Sequence, residues 1–183
     1  DRFFLSGYLG RDVFGDERSN IDFGNKTVTF RWNHLFSSSV FANFSLVRSR
    51  YDYFLSTSEN DIEDMEWVSE FNDYMLSSDF SWYISPKQTL KYGFRSIFHQ
   101  IDPGMVSGSD ENSFFGQVEL PRNNALEHGI YVSNDQTLTT KLTLKYGLRL
   151  SVFQNIGKGT VYNYDENYNA TDSTTYSAGE IFN

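Results

Sequence analysis

Three histidines, His34, His99 and His128, are the only imidazoles in 183 residues, and cysteine is absent. Thiol catalysis, disulfides, Cys-type zinc sites and iron–sulfur clusters are therefore excluded, and the three His show no zinc-ligand spacing. Neither a G-x-S-x-G elbow, a Gly-rich phosphate loop nor a His-Glu-x-x-His motif occurs. Ser, His and Asp are plentiful, but nothing selects a triad among them, so no catalysis, cofactor or metal is expected. Charge chemistry remains. Arg31, Lys91, Arg95, Lys141, Lys145 and Arg149 recur at alternate positions with few acids beside them, mainly Asp12, Asp79 and Glu127. Such a set would pair with carboxylates or guide an anionic solute; ordinary polar lining, solvated by water, is the plainer reading. Glu59, Asp61, Glu63, Asp64 and Glu66 form an acidic stretch that would attract divalent cations or a cationic ligand. It lacks the glycine turn of a calcium loop, so a solvated, charged loop is the alternative.

The net charge of −9 is local. Asp52, Glu59, Asp61, Glu63, Asp64, Glu66, Glu70, Asp73 and Asp79 fall between Tyr51 and Pro86 with no Lys or Arg among them, and elsewhere acids and bases balance. A nucleic-acid partner, which needs a basic phosphate-facing surface, is not expected.

The elements that carry these side chains are strands. From Leu138 to Val152 the even positions are Leu138, Thr140, Leu142, Leu144, Tyr146, Leu148, Leu150 and Val152, and no odd position is apolar. A helix would scatter those leucines and hold Gly147 in its middle, whereas a strand places them on one face. The same alternation runs through Phe3–Val13, Phe23–Phe36, Val40–Val47, Asp73–Ile84, Leu90–His99 and Leu126–Ser133. Seven strands are expected. Ser37–Ser39, Ser85–Gln88 and Asn134–Gln136 read as short turns, whereas Gly15–Asp22, Phe54–Glu66, Asp102–Gly116 and Gln154 onward read as long polar connections. Short and long alternate, which predicts an up-and-down antiparallel meander with one tidy and one elaborate end.

Strands of about ten to fifteen residues exceed the five or six usual in soluble domains and match the 9–11 that cross a bilayer at a tilt. Short turns at one end and long loops at the other are the habit of bacterial outer-membrane barrels. A wall apolar outside and polar inside also explains a mean hydropathy of −0.49 without any apolar run. The basic residues above would then line the lumen. Trp82 and Tyr92 flank a short turn, with Trp32 comparably placed, as one aromatic girdle; Phe98 and Tyr146, ten residues past their turns, would form the opposite one. Arg48 and Arg50 stand above the apolar band, within reach of lipopolysaccharide phosphates or snorkelling to the interface. TLKYGxR occurs twice, at Thr89–Arg95 and Thr143–Arg149, with Tyr outward and Gly and Arg inward.

FLSGYLGRDVF, TFRWNHLFSSSVFANFSLVRSRYDY, TLKYGFRSIFHQIDPG and ALEHGIYVSNDQTLTTKLTLKYGLRLSVF, in that order, resemble the barrel of TonB-dependent outer-membrane receptors of the Bacteroidetes. The resemblance spans nearly the whole chain. It implies a 22-stranded barrel around a plug domain, driven through TonB from the inner membrane to import a siderophore, cobalamin, glycan or peptide. Its partners would be outer-membrane lipid and lipopolysaccharide, its own plug, the TonB complex and a surface lipoprotein. Seven strands supply only a segment of such a wall, over residues 1–183, with the plug and remaining strands outside this sequence. A passive or anchoring barrel without a plug is the alternative, and a soluble β-sandwich binding ligand through its loops is a third.

Overall fold

The computed structural model describes residues 1–16, 18–57, 65–108 and 116–182. All regular structure among them is β: β1 (Arg2–Gly15), β2 (Ser19–Leu35), β3 (Val40–Thr57), β4 (Met65–Ser85), β5 (Gln88–Ser107), β6 (Val118–Glu119), β7 (Asn123–Thr139), β8 (Leu142–Ile156), β9 (Gly159–Tyr164), β10 (Ala170–Tyr176) and β11 (Ile181–Phe182). One antiparallel sheet runs β1-β2-β3-β4-β5-β7-β8-β11, with β6 paired to the far end of β5 and β9–β10 a separate hairpin. This is the expected up-and-down meander, and its seven long strands are the seven expected from periodicity. Among the described residues the sheet is open: β1 is bonded only to β2, and β8 meets only residues 181–182 on its other side.

The sheet is a single layer. Ala42 and Ala125 are the only buried apolar residues among those described, while Leu5, Leu9, Leu46, Leu148 and Leu150 all stand exposed. In a two-layer sandwich the inner apolar faces would cover one another; here no second sheet among the described residues covers the apolar face, and most of its large side chains are exposed or part-exposed.

The turns at Phe36–Ser39 and Pro86–Lys87 lie where expected. The third does not. Asn134–Gln136 is ladder, and the chain reverses at Thr140–Lys141, between β7 and β8. The polar run resembles a turn, but its side chains find partners across strands. Gln88 Nε2 donates to Asn134 Oδ1 at 3.2 Å, Asn134 Nδ2 donates to the Tyr146 hydroxyl at 2.9 Å, and Asp135 pairs with Lys91. The alternating stretch from Leu138 therefore spans a turn, and the strand proper starts at Leu142.

The elaborate end is also more regular than its composition suggests. β1 and β2 approach to within residues 16–18, because Asp16 Oδ1 accepts the backbone N–H groups of Arg18 and Ser19, each at 2.9 Å. β3 continues to Thr57, β4 begins at Met65 and β5 runs on to Ser107. Once both faces of a strand are polar the period-two signal vanishes, although the backbone ladder goes on.

A bulge between Val68 and Glu70 lies opposite Gly104, whose φ of +95° is outside the region open to other residues. There Asp102 Oδ1 accepts the Gly104 N–H at 3.1 Å, and Trp67 Nε1 donates to the Pro103 carbonyl at 2.8 Å. In the β9–β10 hairpin, Asp165 accepts the backbone N–H groups of Asn169 and Asn167 at 2.8 and 2.9 Å, which holds its carboxyl below the ordinary carboxylate range. A depressed folded-state pKa favours the turn above the unfolded value, near 3.9, and that support disappears as pH falls through the folded value. Amide exchange at Asn167 and Asn169 is expected to accelerate on acidification over that window, and a flat profile would remove the role of Asp165.

Candidate functional site

Cross-strand partners share a face, so the register sorts the side chains into two surfaces. On one, nearest the short turns, lie Val40, Trp82, Leu90, Asn134 and Tyr146. Next come Ala42, Phe80, Tyr92, Val132 and Leu148, then Phe3, Trp32, Phe44, Phe94, Ile130 and Leu150. A row of Leu5, Phe30, Leu46, Leu76 and Val152 follows, and the band closes with Val28, Tyr74, Phe98 and Leu126.

Beyond it the same face becomes charged. Arg11 reaches Asp22 at 2.6 Å, Arg50 reaches Glu70 at 2.6 Å and Arg122 reaches Asp102 at 2.7 Å. Period two survives across this boundary while polarity switches.

The aromatic set is thus divided differently from the sequence expectation. Trp82 and Tyr146 share the row next to the turns, Tyr92 and Trp32 lie in the next two, and Phe98, its ring 6.4 Å from Tyr74, marks the far edge. Tyr146 was expected at the far edge. Moving the β7–β8 turn to Thr140–Lys141 brings it to the near one. Of the acidic stretch, Glu59, Asp61, Glu63 and Asp64 lie outside the described residues; Glu66 sits in the β4 ladder between Ser56 and Ser107, not in a loop.

The opposite face is mixed, with polar rows on either side of an apolar one made by Val47, Met75, Ile97 and Phe153. It holds Arg31, Lys91, Arg95, Lys145 and Arg149 together, as expected, whereas Lys141 occupies the turn and belongs to neither face. The residue that organises this basic set is Asp135, which sequence reasoning placed in a turn. Lys91 lies 3.1 Å and Lys145 3.8 Å from it, so both lysines are paired. Among the described residues no carboxylate pairs with Arg31, Arg95 or Arg149. Arg31, Ser45, Ser77, Arg95 and Gly129 form one row, in which small residues separate the guanidinium-bearing ones. Arg149 leans across Gly129: a Cβ there would lie 2.7 Å from its guanidinium nitrogen.

The next row is Asp79, Gly93, Tyr131 and Arg149. Tyr131 reaches across β5 to donate its hydroxyl to Asp79 Oδ1 at 2.7 Å. Gly93 makes that possible, since a Cβ there would meet the Tyr131 ring at 2.6 Å and the Ser78 carbonyl at 2.6 Å. At Gly147 the Val132 carbonyl would be met at 2.5 Å. The repeated TLKYGxR motif therefore has a shared structural reason, in that the neighbouring strand approaches too closely for a side chain. Tyr131→Phe is expected to cost about 1.5 kcal/mol, the worth of a hydrogen bond to a charged acceptor. Denaturant unfolding in detergent would measure it, and a change near zero would mean that water replaces the contact.

The histidines are dispersed. His34 contacts Asp1, His99 Nδ1 lies 2.8 Å from Asp73 on the mixed face, and His128 is on the apolar face, its ring 6.2 Å from Phe94. No group of three metal-ligating side chains occurs among the described residues. The arrangement can bind, orient and pair charges. No protein-family model, curated protein or solved structure was found to match this chain.

Proposed function

We propose that this chain is a segment of the wall of a bacterial outer-membrane β-barrel, and that the complete barrel is a TonB-dependent importer. The observation carrying the first half is the uncovered apolar band. From Trp82 to Tyr74 along β4 the band extends about 26 Å at about 3.3 Å per residue, or about 20 Å high at the tilt of membrane strands. Lipid covers such a face without a second sheet, and the opposed mixed face, with its polar rows, suits a water-filled or plugged interior. An open sheet edge is not viable in hydrocarbon, so strands beyond these must complete the wall.

The second half rests on the resemblance of the four quoted stretches to TonB-dependent receptors. In that setting Arg31, Arg95 and Arg149, left without acidic partners among the described residues, are the positions that would meet carboxylates of a plug or an anionic solute. The substrate class would be a siderophore, cobalamin, glycan or peptide, with capture by the outer loops and no catalysis by the wall. A surface lipoprotein over those loops would complete the assembly.

The test is extraction of the native polypeptide from membranes, followed by intact mass and peptide sequencing. The expected result is detergent dependence and a chain several times the 21.2 kDa of this segment, with a plug preceding the strands. Detergent dependence without a plug would favour a passive or anchoring barrel. Solubility without detergent would overturn both.

A further inference from the structure

We infer that Lys26, Arg48 and Arg50 form a binding site for a phosphate-bearing membrane lipid at the loop-side edge of the apolar band, an inference that rests on the membrane reading above. Lys26 and Arg50 are direct partners in the β2–β3 ladder, and Arg48, two residues along, shares their face. Like charges directly opposite one another destabilise a sheet. Arg50 is relieved by Glu70 at 2.6 Å and Asp52 at 3.8 Å. Among the described residues Lys26 and Arg48 have no carboxylate partner, and Arg48 lies over the Tyr74 ring at 5.5 Å.

An anion shared by all three converts repulsion into attraction, and guanidinium groups fit phosphate oxygens in pairs. Space is present. A cleft of about 570 Å³ is lined by these three cations with Gly7, Leu9 and Val28. A side chain is missing where it would narrow the cleft, since a Cβ on Gly7 would meet nothing nearer than 3.8 Å.

The apolar half of the ligand is specified by what adjoins the cleft. A second groove of about 380 Å³ shares Val28 and Arg48 and continues between Phe30, Leu46 and Leu76 toward the middle of the band. Cationic cleft and apolar groove together match an amphiphile whose phosphate lies next to its acyl chains. With Arg50 neutralised by Glu70, the two charges of Lys26 and Arg48 favour a headgroup with two negative charges. A soluble phosphate would use only the upper part, so the site is assigned to lipid.

The experiment is a titration of the full-length protein, in phosphatidylcholine bicelles, with a bis-phosphorylated acyl disaccharide and its dephosphorylated counterpart, read by native mass spectrometry. The phosphorylated probe is expected to bind at least tenfold more tightly. Combined Lys26→Gln and Arg48→Gln should remove that preference, while Lys87→Gln in the turn at the opposite end should not. Equal binding of both probes, or an unchanged preference in the double variant, would overturn the site. Full competition by millimolar inorganic phosphate would also overturn the lipid assignment, leaving a simple anion cleft. Thermal unfolding of the double variant without probe checks that its fold is intact. A protein that stays dispersed in plain buffer would instead refute the membrane reading, a result distinguishable from loss of the lipid site alone.

Discussion

Leu150→Arg is expected to destabilise the membrane-inserted protein by about 2–4 kcal/mol, the cost of an arginine near the middle of the bilayer on a barrel's outer face. Leu150 lies in the central row of the apolar band, beside Ile130, and is 60% exposed on the sheet surface. The magnitude is informative because of that exposure. On a water-facing surface the same substitution would be close to neutral, within about 0.5 kcal/mol. Reversible unfolding into urea from lipid vesicles would measure it. Gln100→Arg, beyond the band and opposite Asn72, is the depth control and should change little. Equal small effects at both positions would mean that no hydrocarbon covers this face.

Gly104→Ala is expected to cost about 3 kcal/mol or more. Two terms act together. Its φ of +95° strains any residue with a Cβ, and that Cβ would be built 1.5 Å from the Val68 carbonyl oxygen, so the strands must separate there. Separation would also break the Trp67 indole bond to the Pro103 carbonyl. The loss should be confined to the part of the β4–β5 pair beyond the apolar band. Indole fluorescence of Trp67 and amide exchange at Val68 and Met105 report there, and an unchanged melting temperature with native exchange at those amides would refute it.

The sheet was legible in the sequence where its two faces differ, and illegible where they do not. From Tyr74 to Trp82 the apolar Tyr74, Leu76, Phe80 and Trp82 alternate with the polar Ser77, Asp79 and Ser81, so the strand declares both its existence and its orientation. From Met65 to Asp73 both faces carry charge or mixed residues, and only pairing with β3 and β5 shows that the strand continues. The β7–β8 turn was misplaced for the opposite reason. Asn134 and Asp135 look solvent-seeking in isolation, yet partners on β5 and β8, distant in sequence, satisfy them. Of the candidate lining residues, parity alone identified Arg31, Lys91, Arg95, Lys145 and Arg149. It could not reveal that Asp135 pairs with the two lysines and not with the three arginines, nor that Gly93 clears a path from Tyr131 to Asp79. Those facts depend on register, which a single sequence does not display.

The open sheet carries a further constraint, one of parity. Nine strands belong to the main sheet, and without the two-residue β6 and β11 seven long ones remain, each antiparallel to its neighbour. An odd run begins and ends in the same direction, so β1 and β8 point the same way. Brought edge to edge, they could meet only as parallel strands. An all-antiparallel ring therefore cannot form from these seven alone, nor by adding an even number; it requires an odd number of additional long strands. Two copies of this segment joined edge to edge would meet a different outcome, since fourteen strands alternate consistently only if each free edge faces an opposite-running one. A copy can present that only when it is turned end over end, which would place its short turns beside the other's long loops and, across a bilayer, on the wrong side. Any closed all-antiparallel ring that contains this sheet therefore needs an odd complement of strands, and a second copy in the same orientation does not supply it.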